Sequence, residues 1–316
     1  MSTTDATDAV GAEVIADPGR KRGRGYRPGK GFFVLPPLAL VLALLIGPLA
    51  LIWLYSVGLR SNIPGTPTRF DASNWKDFLT TPGNPFRGLF IHSMIVTLTV
   101  SVLATAAAYP LAYFLSFTAR KHRYTLLLLL LAPFFTSYLL RVIAWQIILN
   151  DQGVANWLIQ ELGLQPHGHA VGWLIYSNFS VGLVLFYSWI PFVALPIFAV
   201  LENMDRRLLE AAEDLGASRF TTFLRVTLPL SLPGVIAGFI FVLIPTTGEF
   251  ITPLLVGGTS SQLFGNQIQS FFTNSPDWNY GSVLALSLVV VVVALMLVFG
   301  RFLSTDLRQT SDGGSR

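Results

Sequence analysis

The stretch EAAEDLGASRFTTFLRVTLP, residues 210–229, lies between two long apolar runs and is too polar to cross a bilayer. Residues 210–215 are good helix formers, and Gly216 supplies a turn in which a side chain would strain the backbone. Ser218 is a suitable cap for a second short helix, which we expect Pro229 to end. The apolar residues of this second helix share one face, so the stretch indicates a docking element outside the membrane.

The overall composition is that of a protein that crosses a membrane several times. Hydrophobic residues make up 52% of the 316 residues and charged residues only 12%, which is too apolar for an ordinary soluble domain. The net charge of +4 comes from basic residues scattered at segment ends, a distribution that argues against nucleic-acid binding. The chain has no cysteine, so disulfides, thiolate metal sites and cysteine nucleophiles are excluded.

Six apolar runs reach the roughly 20 residues that a membrane-spanning helix needs. They cover residues 33–57, 92–116, 124–149, 181–201, 232–257 and 281–303. We therefore predict an all-α membrane protein whose six-helix transmembrane domain occupies residues 33–303, with residues 202–231 as a loop. The polar residues 1–32 are predicted to form a disordered basic tail, and residues 304–316 a short polar tail.

The distribution of lysine and arginine predicts which side of the membrane each loop faces. If both termini are cytoplasmic, 16 of the 21 basic residues lie on the cytoplasmic side and four on the outer side, as the positive-inside rule expects. The 202–231 loop is then cytoplasmic. The outer loops at 58–91 and 258–280 are irregular in composition, which suits either a docking surface for a soluble partner or plain connectors. Residues 153–164 predict a short helix at the outer surface.

No set of residues in the sequence is typical of an enzyme. The chain has no G-x-x-x-x-G-K-[ST] phosphate loop, so we do not expect it to hydrolyse ATP. It has no G-x-S-x-G serine motif, and its four histidines show no spacing typical of a metal site. If the protein is a pump, the ATPase must be a separate chain. The alternatives are an ATP-independent carrier or channel and a membrane scaffold.

Helix breakers and small residues occur inside the apolar runs. Several prolines lie within the runs, among them Pro110, Pro133, Pro191, Pro196, Pro245 and Pro253. They indicate either kinked helices along a substrate pathway or ordinary membrane-helix kinks. Gly234 and Gly238 form a G-x-x-x-G pair, which predicts close packing against another helix.

Two charged residues within the runs are candidates for a functional site. Arg141 lies in the third run and Glu249 in the fifth, each eight residues from the outer end, which predicts that they occupy one layer. A charge at this depth is costly and is normally paired or functional. In one interpretation the two form an internal ion pair. In the other, Glu249 contacts a cationic substrate, with Tyr138 and Trp145 as cation–π surfaces, or Arg141 contacts an anionic one.

Several stretches resemble a known family of transporters. Residues of the 202–231 loop match the EAA loop, E-A-A-x3-G-x9-(I/V)-x-L-P, of permease subunits in type I binding-protein-dependent ABC importers: Glu210, Ala211, Ala212, Gly216, Val226, Leu228 and Pro229. The stretches PFFTSYLLRVIAWQIILNDQGVAN, IPTTGEFITPLLVGG, FGNQIQSFF and DWNYGSVLA resemble the B-type permease of spermidine/putrescine importers. Permeases for iron, opines and phosphonates carry similar stretches and are the alternatives.

This resemblance implies the MetI-like permease fold and a set of partners. It implies that an ATPase dimer at the cytoplasmic face binds ATP and magnesium, and that a second permease, usually a different chain, completes the membrane part. A soluble substrate-binding protein is implied at the outer face of a prokaryotic plasma membrane, with ATP-driven alternating access as the mechanism. The residues implied to couple to the ATPase are Glu210, Ala211, Ala212, Gly216, Leu228 and Pro229.

Overall fold

Membrane-length helices dominate the structure. The computed structural model describes residues 30–119, 121–166, 168–275 and 277–312, and these contain helices but no β-strand. The chain divides into two compact units, residues 1–49 and 50–316. The α-helices are α1 (Lys30–Ser56), α2 (Ser73–Thr80), α3 (Pro85–Tyr113), α4 (Arg123–Leu131), α5 (Tyr138–Leu149), α6 (Val154–Glu161), α7 (Asn178–Glu202), α8 (Arg207–Asp214), α9 (Arg219–Thr222), α10 (Leu228–Thr247), α11 (Phe264–Thr273) and α12 (Trp278–Asp312).

Five helical stretches among the described residues are long and apolar enough to cross a membrane. They are Pro37–Ser56, Pro85–Thr118, Asn178–Glu202, Arg219–Thr247 and Trp278–Arg301. A sixth crossing exists if the pair Arg123–Phe135 and Tyr138–Glu161, bent by 85°, is one broken span. The predicted all-α class and the six spans agree with this architecture, although the third span is not a straight helix.

Helices α3, α7 and α10 pack together in the second unit, and glycines allow α10 to approach α7 closely. A Cβ atom on Gly234 would lie 2.8 Å from the carbonyl oxygen of Pro196, and one on Gly238 would lie 2.9 Å from that of Val193. Neither position has room for a side chain, because real Cβ contacts are longer than this. The close packing predicted from the G-x-x-x-G pair is confirmed.

The prediction that Pro229 ends the second helix of the 202–231 loop is wrong. Helix α9 continues through a π-helical turn, Phe223–Thr227, into α10. In this turn the amide of Leu228 donates to the carbonyl of Phe223, five residues earlier. The wider turn accommodates the proline ring and its missing amide donor directly after it.

The segments between the long helices contain more helix than their composition indicates. A helix within the predicted range 153–164 is present as α6, while α2 and α11 lie in loops whose composition is irregular. Helix α12 extends to Asp312, so the predicted tail at 304–316 is helical up to that residue. The predicted tail at 1–32 falls almost entirely outside the described residues.

Candidate functional site

The fifth apolar run does not form one continuous helix. Helix α10 ends at Thr247, and the chain turns at Gly248 before a second helical segment that closes with the π-helical turn Pro253–Gly257. The predicted span 232–257 is therefore wrong as a single helix. Gly248 is a poor helix former and Pro253 has no amide donor, which explains why the helix stops here.

Glu249 caps the helical segment that follows this break. Its Oε1 accepts hydrogen bonds from the amides of Ile251 at 2.8 Å and Thr252 at 3.1 Å. The residue is only 9% exposed. A carboxylate at a helix N-terminus is stabilised by the amides and by the helix dipole, so the fold itself holds the charge of Glu249 within the protein.

Side chains from other helices satisfy the carbonyl groups that the break leaves free. The carbonyl oxygens and their donors are Phe250 with Asn266 at 2.7 Å, Leu255 with Gln146 at 2.9 Å, and Val256 with Ser180 at 2.7 Å. Non-helical backbone at membrane depth requires such partners, because hydrocarbon offers none. The break is thus a built feature, supported by α11, α5 and α7.

Helix α11 approaches the break more closely than any side chain would permit. A Cβ atom on Gly265 would lie 2.6 Å from the carbonyl oxygen of Glu249. Gly265 and Asn266 therefore position Glu249, a role that the sequence analysis missed. The available signal was the glycine-asparagine pair in the stretch FGNQ, which is polar for a segment between two apolar runs.

Tyr138, at the start of α5, contacts the same carboxylate. Its hydroxyl donates to Oε2 of Glu249 at 2.9 Å and lies 2.6 Å from the hydroxyl of Thr252. The two oxygens of Glu249 are therefore engaged differently, Oε1 with backbone amides and Oε2 with a side chain from another helix. Because Oε2 receives one hydrogen bond, it retains an acceptor position for a further donor.

Arg141 and Glu249 do not form the ion pair that one interpretation expected. An ion pair is instead seen between Arg123 and Glu202. The guanidinium carbon of Arg141 lies 4.4 Å from the ring centre of Phe134 and 5.6 Å from that of Tyr138. The pair is absent because the carboxylate of Glu249 is turned towards the amides and Tyr138.

The guanidinium of Arg141 is left without hydrogen-bond partners among the described residues. Its Nε and Nη1 atoms are buried and make no hydrogen bond. Contact with aromatic rings stabilises a cation by up to about 2 kcal/mol, whereas removing a charge from water costs several kcal/mol. The contacts that the described residues make with Arg141 therefore compensate its burial only in part.

The structure brings Tyr138, Arg141 and Glu249 together but gives Trp145 different neighbours. The ring of Trp145 packs edge-on against Tyr187, with ring centres 5.3 Å apart, and it borders the apolar core around Val142 and Val184. Trp145 lies one helical turn beyond Arg141, and no contact joins it to Glu249 in the described part of the chain.

The loop between α7 and α10 contains the predicted helix, turn and helix. Gly216 has a φ angle of +81°, and it ends α8 in a Schellman motif: the amide of Ala217 donates to Ala212 and that of Gly216 to Glu213. The hydroxyl of Ser218 then accepts from the amide of Thr221 and caps α9. The predicted turn and cap are confirmed.

This loop exposes apolar side chains. Leu215 is 89% exposed and Phe220 is 70% exposed, and Leu208 and Leu224 are also open. Glu210 and Ala211 lie on the surface of α8, and Ala212 is half-buried. Exposed apolar side chains gathered in one short loop are typical of a surface that another protein covers.

The same loop is fastened to the end of α3. Arg206 donates to the carbonyl of Ser116 at 3.2 Å, and its guanidinium carbon lies 5.6 Å from the ring centre of Phe117. Phe223 packs edge-on against Tyr109 and Tyr113. A force on the loop would therefore reach both α3 and α10.

Comparison with known proteins places this architecture in a family. The family model for the binding-protein-dependent transport system inner membrane component matches residues 32–309. The chain belongs to this family. It is 35% identical over 213 residues to the spermidine/putrescine transport system permease protein PotB of Escherichia coli K12, and the match covers 67% of this chain and 76% of PotB.

Solved structures share the fold of this inner membrane component. A bacterial ABC transporter involved in alginate import matches with a TM-score of 0.65 and 16% identity, covering 87% of this chain and 94% of that one. The alginate transporter in complex with its alginate-pentasaccharide-bound periplasmic protein matches with a TM-score of 0.62 and 17% identity, covering 85% and 91%. The chain is thus a multi-pass inner-membrane permease subunit of an ABC importer, as the resemblance in its sequence implied.

Proposed function

We propose that this chain is the permease subunit through which an ATP-driven importer passes polyamines such as spermidine and putrescine into the cell. The observation that carries the proposal is the buried carboxylate of Glu249, held at a break in a spanning segment. Broken spans are where transporters place substrate sites. Polyamines are cations at neutral pH, and the chain is similar to a spermidine/putrescine permease.

The carboxylate and its neighbours suit a protonated amine. Oε2 of Glu249 has an acceptor position beyond its bond with Tyr138, and the ring of Tyr138 offers a cation–π surface beside it. Trp145 lies one turn farther along α5, against Tyr187, and is proposed to border a later part of the path and not the Glu249 site itself. The amine would thus meet one charge-assisted hydrogen bond at Glu249, beside the ring of Tyr138 that Arg141 also contacts.

The loop between α7 and α10 serves as the contact to a separate ATPase. Leu215 and Phe220 are its most exposed apolar side chains, and Glu210, Ala211, Ala212 and Gly216, with Leu228 and Pro229, form the segment that seats on that partner. The ATPase dimer binds ATP and magnesium, and its closure moves this loop and switches the spans between outward and inward access. This places the loop and both termini in the cytoplasm, as the basic residues indicate.

Two further partners complete the proposed importer. A second permease chain, different from this one, pairs with it in the membrane, and a soluble binding protein delivers the polyamine to the outer loops. Support for the last partner comes from the alginate transporter of the same fold, whose structure includes a periplasmic protein.

Uptake of radiolabelled spermidine and putrescine tests the proposal. Cells that express the partner subunits are compared with and without this chain, and a plasmid copy of the chain is the control for restoration. We expect uptake of at least one polyamine to require the chain. Equal uptake in both strains would overturn the polyamine assignment and leave the family membership standing.

A further inference from the structure

We propose that Arg141 binds an aspartate or glutamate on a transmembrane helix of the second permease chain, so that an ion pair within the bilayer holds the two permeases together. The inference rests on the proposed function in one respect, the presence of a second permease chain. It assigns a counter-ion to a charge that forms no ion pair with any residue in the described part of this chain.

The first observation is that Arg141 has no hydrogen-bond or ion-pair partner among the described residues. Nε and Nη1 are enclosed and make no hydrogen bond. Nη2 makes no hydrogen bond to a described residue either. Unlike Nε and Nη1, Nη2 is not buried. Arginine stays protonated in proteins, so the guanidinium presents an open donor at Nη2 and requires a negative charge.

The second observation is that a second copy of this chain cannot readily supply that charge. Among the described residues the buried acidic side chain is Glu249. Asp151 also lies within the bent pair, but it is exposed and stands ten residues beyond Arg141, after the end of α5. The carboxylate of Glu249 is already held by two amides and by Tyr138. A different chain with its own membrane carboxylate therefore fits the site better than a second copy.

The third observation is that the surface beside Arg141 is unsuited to lipid. The chain between the two halves of the bent pair is not helical at Thr136 and Ser137, and both residues are exposed, as is Phe135 at 83%. Irregular backbone does not face hydrocarbon in membrane proteins. This part of the surface therefore requires a protein neighbour or a water-filled cavity.

The shape of α5 around Arg141 favours a protein neighbour. Ser137 lies one turn before Arg141 and Ala144 lies one turn after it, and both are exposed. Small residues on a membrane helix allow another helix to approach closely. A carboxylate on that helix would reach the guanidinium of Arg141. Arginine and a carboxylate form some of the strongest hydrogen-bonded ion pairs in proteins.

The test measures assembly of the importer rather than transport. Full-length chain with an affinity tag is expressed together with the second permease and the ATPase, and the second permease recovered with it in detergent is quantified without substrate. We expect Arg141→Gln to lower this recovery at least fivefold and Arg141→Lys to retain most of it. The matched control is Arg123→Gln. Arg123 belongs to the same bent helix pair, but its ion-pair partner, Glu202, lies within this chain.

A charge exchange identifies the partner residue. Arg141→Glu is combined with replacement of each membrane aspartate or glutamate of the second permease by lysine, one at a time. We expect one combination to restore recovery, which a variant that had merely lost its fold would not show. Wild-type recovery with Arg141→Gln, or no restoration by any exchange, would overturn the inference in favour of a contact with substrate, lipid headgroup or water.

The outcome is separable from that of the proposed function. If the tagged wild-type chain is recovered with a second copy and no other permease, the inference is overturned, while polyamine uptake is unaffected by that finding. If polyamine uptake does not depend on the chain, the substrate assignment fails and the assembly measurement still decides the role of Arg141.

Discussion

The hydroxyl of Tyr138 lies 2.9 Å from Oε2 of Glu249 and joins the bent helix pair to the break that follows α10. Glu249 is engaged at the same time by two backbone amides through Oε1. One residue thus both shapes the backbone and presents a negative charge towards α5. These two roles are separable by substitution.

Replacing Glu249 by Gln should reduce cation uptake while preserving the fold. Glutamine keeps an acceptor for the amides of Ile251 and Thr252 but removes the charge. A hydrogen bond to a charged group contributes about 1.5–3 kcal/mol, so we expect kcat/KM for spermidine uptake to fall by roughly 10-fold to 150-fold. Initial rates of labelled spermidine uptake over a concentration series provide the measurement.

Tyr138→Phe is the matched control for that variant. It removes the hydroxyl contact to Oε2 but keeps both the ring and the carboxylate. A neutral hydrogen bond contributes about 1 kcal/mol, so the loss of uptake should be about fivefold. Equal losses in the two variants would show that the charge of Glu249 is not what the substrate meets.

Gly216→Val should uncouple ATP hydrolysis from uptake. The φ angle of +81° costs a residue with a side chain about 1–2 kcal/mol, and no atom lies within 4 Å of the added Cβ. The expected defect is therefore a changed turn rather than a clash. We expect loss of uptake with retained ATPase activity in the purified importer, both assayed in proteoliposomes.

The control for this variant is Gly163→Val. Gly163 also has a positive φ, +70°, and open space around it, so the backbone cost is similar, but it follows α6 and lies outside the 202–231 loop. Its uptake should remain near that of the wild type. If both valine variants lose uptake equally, a special role for the turn at Gly216 is disproved.

Gly238→Val should destabilise the packing of α10 on α7. The added Cβ would lie 2.9 Å from the carbonyl oxygen of Val193, and overpacking of this kind costs about 1–3 kcal/mol. We expect a lower thermal unfolding temperature in detergent. Gly182→Ala is the comparison, because its nearest neighbour, Val100, is 3.9 Å away; a similar loss in both variants would contradict the packing argument.

Arg123→Gln should have little effect on stability. Arg123 forms a 2.7 Å ion pair with Glu202, but the two side chains are 27% and 18% exposed. Ion pairs near the surface contribute at most about 1 kcal/mol, and solvent screening reduces this one further. Unfolding temperatures at low and high salt should differ little between variant and wild type. A much lower unfolding temperature in the variant would show that the ion pair contributes strongly to holding α4 against α7.

Features set by neighbouring residues could be predicted from the sequence, and features set by distant contacts could not. The turn at Gly216 and the cap at Ser218 are local, so their residue types were sufficient. The break around Glu249 depends on Asn266, Gln146 and Ser180, which lie in three other helices. The hydropathy pattern of residues 232–257 therefore predicts one continuous helix, whereas the structure has two helical segments.

The continuation of the helix past Pro229 could not be predicted from the sequence for a related reason. A proline inside an α-helix normally removes one hydrogen bond, and only a change of helix type before it avoids the penalty. The π-helical turn Phe223–Thr227 provides that change. No residue type in the stretch FLRVT predicts a π-helical turn.

The continuous helix from Arg219 to Thr247 has 29 residues and is about 42 Å long. It begins beside the Gly216 turn and ends next to the break that holds Glu249. One continuous helix therefore connects the 202–231 loop to the buried carboxylate. If such a helix tilts by about 10° around one end, the other end moves by about 7 Å. A small rotation at the Gly216 end would therefore displace the backbone around Glu249 by more than the length of a hydrogen bond.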